Sequence, residues 1–127
     1  MPILVVDDEP DMLLIVRTYL ERAGLNVVGE ARDGREALDM YHGLNPPPVP
    51  SVVVLDNQMP GLTGLDVAAE ILAEFPGQPV VLFSAYLDDE IIDRATRQGV
   101  TACVSKSDVA KLADIVKGLT PGPVEHE

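Results

Sequence analysis

The stretch SVVVLDNQMPGLTG, residues 51–64, decides the fold. Its apolar run at residues 52–55 passes directly into Asp56 and a turn rich in proline and glycine. A strand that is apolar on both faces is typical of a parallel sheet covered by helices on each side. In such sheets, ligands bind at the carboxyl ends of the strands. We therefore expect Asp56 at the rim of a binding site, although the same carboxylate could simply cap the following turn.

Composition and charge limit the kinds of partner. The chain has 127 residues, the size of one domain, and is 46% hydrophobic but only 4% aromatic. Its core must therefore consist mainly of Val, Leu, Ile and Ala. The formal net charge of −12 repels phosphate backbones and anionic membranes and favours metal cations or basic partners. We expect no nucleic-acid partner for this domain.

Cysteine content and hydropathy predict the compartment. The single cysteine, Cys103, excludes an internal disulfide and fits a reducing environment. The longest apolar run, residues 12–16, is far too short to span a membrane. The first residues do not resemble a secretion signal. These features together predict a cytoplasmic domain with no membrane partner.

Five apolar segments alternate with five helical segments. The strands are expected at residues 3–6, 26–31, 52–55, 79–84 and 100–106, with helices beginning near residues 10, 35, 64, 88 and 108. This alternation predicts an α/β fold with a doubly wound, five-stranded parallel sheet and five helices. The second strand is expected at an edge, and the proline-rich segment 43–50 is expected to be a connector of polyproline II character. Ser107 is expected to cap the last helix.

The first helix carries more apolar residues than one face can bury. One stripe is expected to face the core, and it consists of Met12, Ile15, Val16 and Tyr19. Leu13 and Leu14 fall towards the edge of this stripe. Some apolar surface is therefore expected to remain exposed on this helix, as ordinary surface residues or as a docking face.

Compatible polar groups follow four of the five strands. Asp7 and Asp8 follow the first strand, Asp56 the third, Ser84 the fourth and Lys106 the fifth. Three carboxylates drawn together need a cation, and oxygen ligands suit Mg²⁺. A hydroxyl and an ammonium group facing that cation would suit a phosphoryl group, which a carboxylate such as Asp56 can accept. An Asp pair at a helix start can be a plain cap. The prediction is specific because compatible groups follow four separate strands.

Five short motifs carry a family resemblance. They are VVDDEP at residues 5–10, ARDGREA at 31–37, LDNQMPGLTG at 55–64, FSA at 83–85, and Lys106. With these motifs, residues 3–119 resemble the receiver domain of a two-component response regulator. The resemblance implies the flavodoxin-like (βα)5 fold, with a receiver domain at residues 1–119 and a polar tail or linker start at 120–127.

The resemblance also implies a metal site. Asp8, Asp56 and the backbone carbonyl of Gln58 would ligate Mg²⁺, with Mn²⁺ as an alternative, and Asp7 would hold the ion through water. Asp56 would be the phosphoacceptor, attacking the phosphohistidine of a sensor kinase or phosphotransfer protein in a two-component phosphorelay.

Two further side chains would contact the phosphoryl group. Ser84 would bond one phosphoryl oxygen after a rotamer change, and Lys106 would pair with another. The side chains of Gln58 and Tyr86 would tune the lifetime of the phosphoryl group. The domain would catalyse only its own phosphorylation and dephosphorylation, and would not otherwise be an enzyme.

The resemblance further implies two partner surfaces. The first helix would belong to the kinase-docking surface, which would give Leu13 and Leu14 a role. The fourth helix, fifth strand and fifth helix would form the output and dimerisation surface, acting on an effector domain or a downstream protein.

Two positions depart from the family pattern. Cys103 stands where an aromatic residue usually moves with the phosphorylation state, and Ser107 stands where proline usually follows the lysine. An alternative hypothesis is therefore a pseudo-receiver, an interaction module independent of phosphorylation. A third is a Mg²⁺-dependent phosphatase, which would want a carboxylate two residues after Asp56, where Gln58 stands.

Overall fold

The computed structural model describes residues 2–44 and 50–119. Five strands and five helices alternate along them as β1 (Pro2–Val6), α1 (Pro10–Arg22), β2 (Asn26–Ala31), α2 (Gly34–Gly43), β3 (Val52–Leu55), α3 (Gly64–Glu74), β4 (Val80–Ser84), α4 (Asp89–Gln98), β5 (Ala102–Ser105) and α5 (Val109–Leu119). All strand pairs are parallel, in the order β2-β1-β3-β4-β5. The predicted flavodoxin-like α/β fold is confirmed, with β2 at an edge and β3 in the centre.

Alternate side chains of the sheet enter two separate apolar cores. Leu4 and Leu55 lie in the core that contains residues of α2, α3 and α4. Ile3 and Val54 lie in the core that contains residues of α1 and α5. Because successive side chains of a strand point to opposite faces, the sheet separates these two cores completely along β1 and β3. None of the described helices is long and apolar enough to cross a membrane.

The buried face of α1 differs from the sequence prediction. Leu13, Val16 and Leu20 are buried, whereas Ile15 and Tyr19 are 41% and 38% exposed. Five consecutive apolar residues allow several different buried faces. Leu20 selects the face of Leu13 and Val16, because it follows Val16 by four residues and so lies on the same side of the helix. Leu13 therefore belongs to the core and not to a docking face.

Two predicted boundaries were also wrong. The α5 cap is Asp108, whose Oδ1 accepts the Lys111 N–H at 3.2 Å, and not Ser107. Ser107 lies in the turn before it, with its N–H donating to the Ser105 hydroxyl. Gly43 belongs to α2 and not to the proline-rich connector.

The remaining predictions for the connector at 45–49 and the tail at 120–127 fall outside the described residues. Residues 79 and 100–101 lie before the strands that were predicted to include them, which are β4 and β5. Lys106 follows β5 directly, in a turn.

A close approach between α3 and β3 requires glycine at position 64. The Gly64 N–H donates to the Asn57 carbonyl at 3.1 Å, and a Cβ there would collide with the backbone carbonyl of Asp56. We expect Gly64→Ala to lower the free energy of unfolding by about 1–3 kcal/mol, as overpacking typically does. Urea denaturation measures this change.

Gly118→Ala is the matched control. Gly118 lies in α5 with no atom within 4 Å of a Cβ built on it. The better helix propensity of alanine should stabilise this variant by up to about 1 kcal/mol. Equal stabilities for the two variants would show that α3 can shift away from Asp56 at no cost.

Candidate functional site

Backbone hydrogen bonds that extend the sheet position the acidic residues. The Asp7 N–H donates to the Ala31 carbonyl at 3.0 Å, which continues the pairing of β1 with β2. The Asp56 N–H donates to the Val6 carbonyl at 2.9 Å, which continues the pairing of β3 with β1. Both carboxylates therefore leave rigid backbone at neighbouring strand ends, so their separation is fixed by the sheet.

Asp7, Asp8 and Asp56 form a carboxylate cluster. Each contributes one oxygen to a set whose members all lie within 4.8 Å of one another. Asp7 and Asp56 are buried, with 2% and 3% exposure, and Asp8 is half-buried. Buried carboxylates this close together are costly unless a cation compensates them. The donor set, three carboxylate oxygens with room at the surface, fits a hard ion such as Mg²⁺.

Lys106 places one positive charge next to this carboxylate cluster. Its Nζ lies 2.8 Å from Asp7 Oδ2 and 3.2 Å from Asp56 Oδ2, and its side chain is only 10% exposed. A third oxygen, Glu9 Oε1, lies 3.4 Å away. One ammonium group thus faces several carboxylates, and the site keeps a net negative charge. The structure therefore brings Asp7, Asp56 and Lys106 together, as predicted.

The pKa values reflect this imbalance. Burial, followed by the charge of Asp7, raises the pKa of Asp56 to about 6, against the opposing effect of Lys106. Burial also raises the pKa of Asp7, although a hydrogen bond from Lys106 opposes it. Burial lowers the pKa of Lys106, but the hydrogen bond to Asp7 and the charges of Asp56 and Asp7 together raise it above its usual value. The site therefore favours an additional positive charge, either a proton or a metal ion.

The loop after β3 is held by side-chain contacts. The Gln58 N–H donates to Asp56 Oδ1 at 3.2 Å, which orients the carboxylate, and the Gln58 side chain is exposed. Asn57 Oδ1 accepts the Leu65 N–H at 3.0 Å and ties the loop to the first turn of α3. Sequence reasoning missed Asn57, although an Asn in a turn next to a helix start is a known local acceptor.

Ser84 is fully buried at the end of β4. Its hydroxyl donates to the Tyr86 carbonyl and accepts the Tyr86 N–H, each at 3.3 Å. Its position at the strand end agrees with the prediction, but its hydroxyl is engaged with the β4–α4 loop in this structure. The Lys106 N–H donates to the Ser84 carbonyl at 3.0 Å, so the backbone brings these two residues together.

Cys103 lies in β5, and Tyr86 lies in the loop between β4 and α4. Cys103 is half-buried against the core that contains α3 and α4, and burial raises the pKa of its thiol. It therefore packs as a small apolar residue, which agrees with the prediction from sequence. Tyr86 is 55% exposed in the loop that precedes α4.

Comparisons with known proteins agree on one family. Residues 3–117 match the family described as "Response regulator receiver domain". The chain is 31% identical to the chemotaxis protein CheY of Thermotoga maritima, over 82% of this chain and 83% of the relative. It is 29% identical to the response regulator protein VraR of Staphylococcus saprophyticus, over 86% of this chain but only 53% of that relative.

Solved structures give the same result. The signal receiver domain of the putative response regulator NarL from Mycobacterium tuberculosis has a TM-score of 0.78 and 33% identity, covering 92% of this chain and 96% of that one. The CheX-CheY-BeF3-Mg+2 complex from Borrelia burgdorferi contains a chain with a TM-score of 0.86 at 24% identity, covering 94% of this chain and 88% of that one. The second likeness shows the shared fold alone.

Proposed function

Because the chain belongs to the response regulator receiver domain family of two-component signalling, we propose that Asp56 accepts a phosphoryl group and that this modification switches the domain. The observation that carries the proposal is the buried cluster of Asp7, Asp8 and Asp56, joined by Lys106 through two ion pairs. A simple helix cap would not bring carboxylates from two strand ends together with one buried ammonium group.

The chemistry needs a divalent cation, which Asp8, Asp56 and the Gln58 carbonyl would hold directly and Asp7 through water. Bound there, Mg²⁺ would neutralise the charge that develops on the phosphoryl oxygens. Asp56 must be ionised to act as the nucleophile. It is oriented by the Gln58 N–H and by Lys106, so little motion is required before attack.

Lys106 and Ser84 would then bind the transferred group. The Lys106 ammonium already contacts Asp56 Oδ2, and it would move to a phosphoryl oxygen once that carboxylate is esterified. The Ser84 hydroxyl would leave the Tyr86 backbone and bond another phosphoryl oxygen. Breaking its two contacts with Tyr86, both long at 3.3 Å, requires little energy.

The partners of the domain follow from the same proposal. The donor would be the phosphohistidine of a sensor histidine kinase or a phosphotransfer protein. The output would come from the α4-β5-α5 surface, acting on an effector domain, a downstream protein or a second copy in a dimer. The chain spans about half the length of VraR, and an effector domain in the full-length protein would fit that relation. The reduced single cysteine supports a cytoplasmic location.

Labelling with acetyl phosphate and Mg²⁺ tests the function. We expect one phosphoryl group per molecule, attached to Asp56 and lost slowly. Peptide mapping after borohydride reduction locates the modified residue. No label on the wild-type protein would support the pseudo-receiver, and repeated turnover of a phosphate ester would support the phosphatase.

Metal binding should depend on pH through Asp56. Since the pKa of this carboxyl is raised to about 6, a proton competes with the metal below that pH. We expect the apparent Kd for Mg²⁺ to rise about tenfold for each pH unit below 6 and to change little above about pH 7. Isothermal titration calorimetry measures it. An affinity that stays equal at pH 5 and pH 7.5 would show that no metal-binding carboxylate titrates near pH 6.

Cys103 makes the pseudo-receiver worth a separate experiment. Its half-buried thiol cannot repeat the motion of a large aromatic ring, so transmission must use α4 and its loop without that ring. We expect beryllofluoride with Mg²⁺ to shift the NMR signals of α4 and β5 in the wild type but not in Asp56→Asn. Binding at Asp56 without any shift in these elements would favour a domain that accepts a phosphoryl group but does not change the conformation of α4 and β5.

A further inference from the structure

Two open grooves of similar size meet at Asp8. One, of about 550 Å³, lies between the loop before α2 and the loop before α3, and Arg32 and Arg35 line it. The other, of about 560 Å³, lies along the start of α1, and Glu9 and Asp11 line it. Both grooves reach Asp8, whose carboxylate lies within 4.8 Å of an Asp56 oxygen. Either one could lead a ligand to the phosphoacceptor.

The two grooves differ in charge. Among the described residues that line them, only Arg32 and Arg35 are positively charged, and both line the first groove. The carboxylate in that groove besides Asp8 is Asp33, which already accepts the Glu36 N–H at 2.8 Å as the cap of α2. The second groove has carboxylates and no cation in its lining. The charged residues lining the first groove balance one another, whereas those lining the second are all negative, so an anion is repelled far less by the first groove.

The two arginines are free to bind a ligand. Within residues 2–44 and 50–119, no carboxylate oxygen lies within 4.0 Å of either guanidinium; the same holds for Arg22 and Arg94, whereas Arg17 and Arg97 are paired. The backbone beneath them is fixed, because the Arg32 N–H donates to Glu36 Oε1 at 2.7 Å. Arg32 lies in the loop before α2 and Arg35 in the first turn of α2, so both guanidinium groups stand beside the same groove without a carboxylate partner.

We propose that Arg32 and Arg35 form the entry site for a small dianionic phosphodonor, an acyl phosphate. This inference rests on the proposed function of Asp56. The guanidinium groups bind the phosphoryl oxygens at the mouth of the groove and deliver the donor to the carboxylate cluster. There, an Asp56 oxygen forms a bond to phosphorus as the bond from phosphorus to the acyl oxygen breaks. The carboxylate leaves with the bonding electron pair.

Electrostatic repulsion of the donor explains why such an entry site is needed. The net charge of −12 and the carboxylates around Lys106 repel a dianion before it reaches the metal. Paired guanidinium groups at one side of the cleft raise the local donor concentration and the association rate. They also match the geometry of phosphoryl oxygens through paired N–H donors.

The test compares two double variants of equal charge. In Arg32→Gln/Arg35→Gln, both groove arginines become neutral. In Arg22→Gln/Arg94→Gln, two exposed arginines on α1 and α4 become neutral, with no change to either groove. Both variants have surface substitutions only, so melting curves should overlay the wild type. The measurement is the rate of phosphorylation at Asp56 with acetyl phosphate and Mg²⁺.

At low salt we expect Arg32→Gln/Arg35→Gln to react about 3–10-fold more slowly with acetyl phosphate than the control variant. Phosphoramidate, which carries an ammonium group and less net negative charge, should show a smaller difference. High salt should remove most of the difference, because it screens exposed charges. The final extent of labelling should remain one per molecule.

Equal rates for the two double variants would overturn the proposal, and so would a difference that is the same for both donors and unaffected by salt. Neither outcome concerns the proposed function, which fails only if the wild-type protein takes no label at Asp56. The two failures are therefore distinguishable in one set of reactions.

Discussion

Replacing Asp56 with asparagine is expected to abolish phosphorylation and to stabilise the metal-free protein at neutral pH. Asparagine has nearly the same shape, but it cannot act as the nucleophile and carries no charge. The stabilisation follows from the raised pKa of Asp56, which rises from 3.8 to about 6 because of burial and the charge of Asp7. The native protein must therefore hold an ionised carboxylate that the unfolded chain holds more easily.

The sign of the pH dependence follows from proton binding. Between pH 3.8 and about 6, the native state binds more protons at Asp56 than the unfolded state does. The contribution of this carboxyl to the free energy of unfolding therefore falls as the pH rises through that window. Above it, ionised Asp56 costs up to about 3 kcal/mol by linkage. This cost already includes the favourable effect of Lys106. Because an amide does not fully reproduce the hydrogen bonds of a protonated carboxyl, we expect Asp56→Asn to gain about 1–2 kcal/mol near pH 7.5.

Urea denaturation with a chelator, near pH 7.5 and again near pH 4, measures this gain. The gain should shrink at the lower pH, where the wild-type carboxyl is largely protonated. Asp114→Asn is the control, because Asp114 is an exposed carboxylate on α5 and its loss changes the net charge equally. Saturating Mg²⁺ should stabilise the wild type and reverse the order. A wild type that is more stable than Asp56→Asn without metal would mean that Lys106 already compensates the cluster.

Replacing Lys106 with methionine should have the opposite effect on stability and a severe effect on phosphorylation. The Lys106 side chain is only 10% exposed, and its ammonium group contacts Asp7 at 2.8 Å and Asp56 at 3.2 Å. Its removal leaves two buried carboxylates without a cation, and breaking a buried ion pair costs about 3–5 kcal/mol. We expect the metal-free Lys106→Met protein to lose about 2–4 kcal/mol near pH 7.5, since protonation of one carboxyl relieves part of the cost.

Lys111→Met, an exposed α5 residue, is the matched control and should change stability little. The double variant Lys106→Met/Asp56→Asn should recover most of the loss, which shows the coupling directly. The rate of phosphorylation by acetyl phosphate should fall at least about a hundredfold in Lys106→Met, as for other residues that stabilise developing charge. A normal rate would assign Lys106 to folding alone.

The sheet and its rim could be predicted because their signals are local and redundant. Each central strand is an unbroken apolar run, and each run ends in a polar residue, so β1 and β3 with Asp7 and Asp56 could be read directly from the pattern. The pairing order of a parallel sheet then places these residues together, whatever the details of the helices. Lys106 follows by the same argument from the end of β5.

The predictions for α1 and α5 were wrong where the local sequence is compatible with more than one structure. In α1, five consecutive apolar residues allow more than one buried stripe, and the contact of Leu20 with the core selects Leu13 in place of Ile15. Before α5, Ser107 and Asp108 are both good caps, and a turn stabilised by the Ser105 hydroxyl moves the helix start by one residue.

Contacts that depend on rotamers also could not be predicted. The sequence contains no sign that Ser84 bonds the Tyr86 backbone, or that Glu9 reaches Lys106 at 3.4 Å. Both contacts depend on how the loops after the strands turn, which is a property of the packed structure.

The division of the interior into two cores has a consequence for how this protein can evolve. Ile71 lies in the core beneath α3 and Val116 in the core beneath α5, with the sheet between them. Substitutions at such separated positions should have additive effects on stability, because they share no neighbours. Lineages can therefore change the side chains packed beneath α1 and α5 without disturbing those packed beneath α3 and α4. The two layers of this small domain can thus accumulate substitutions independently of each other.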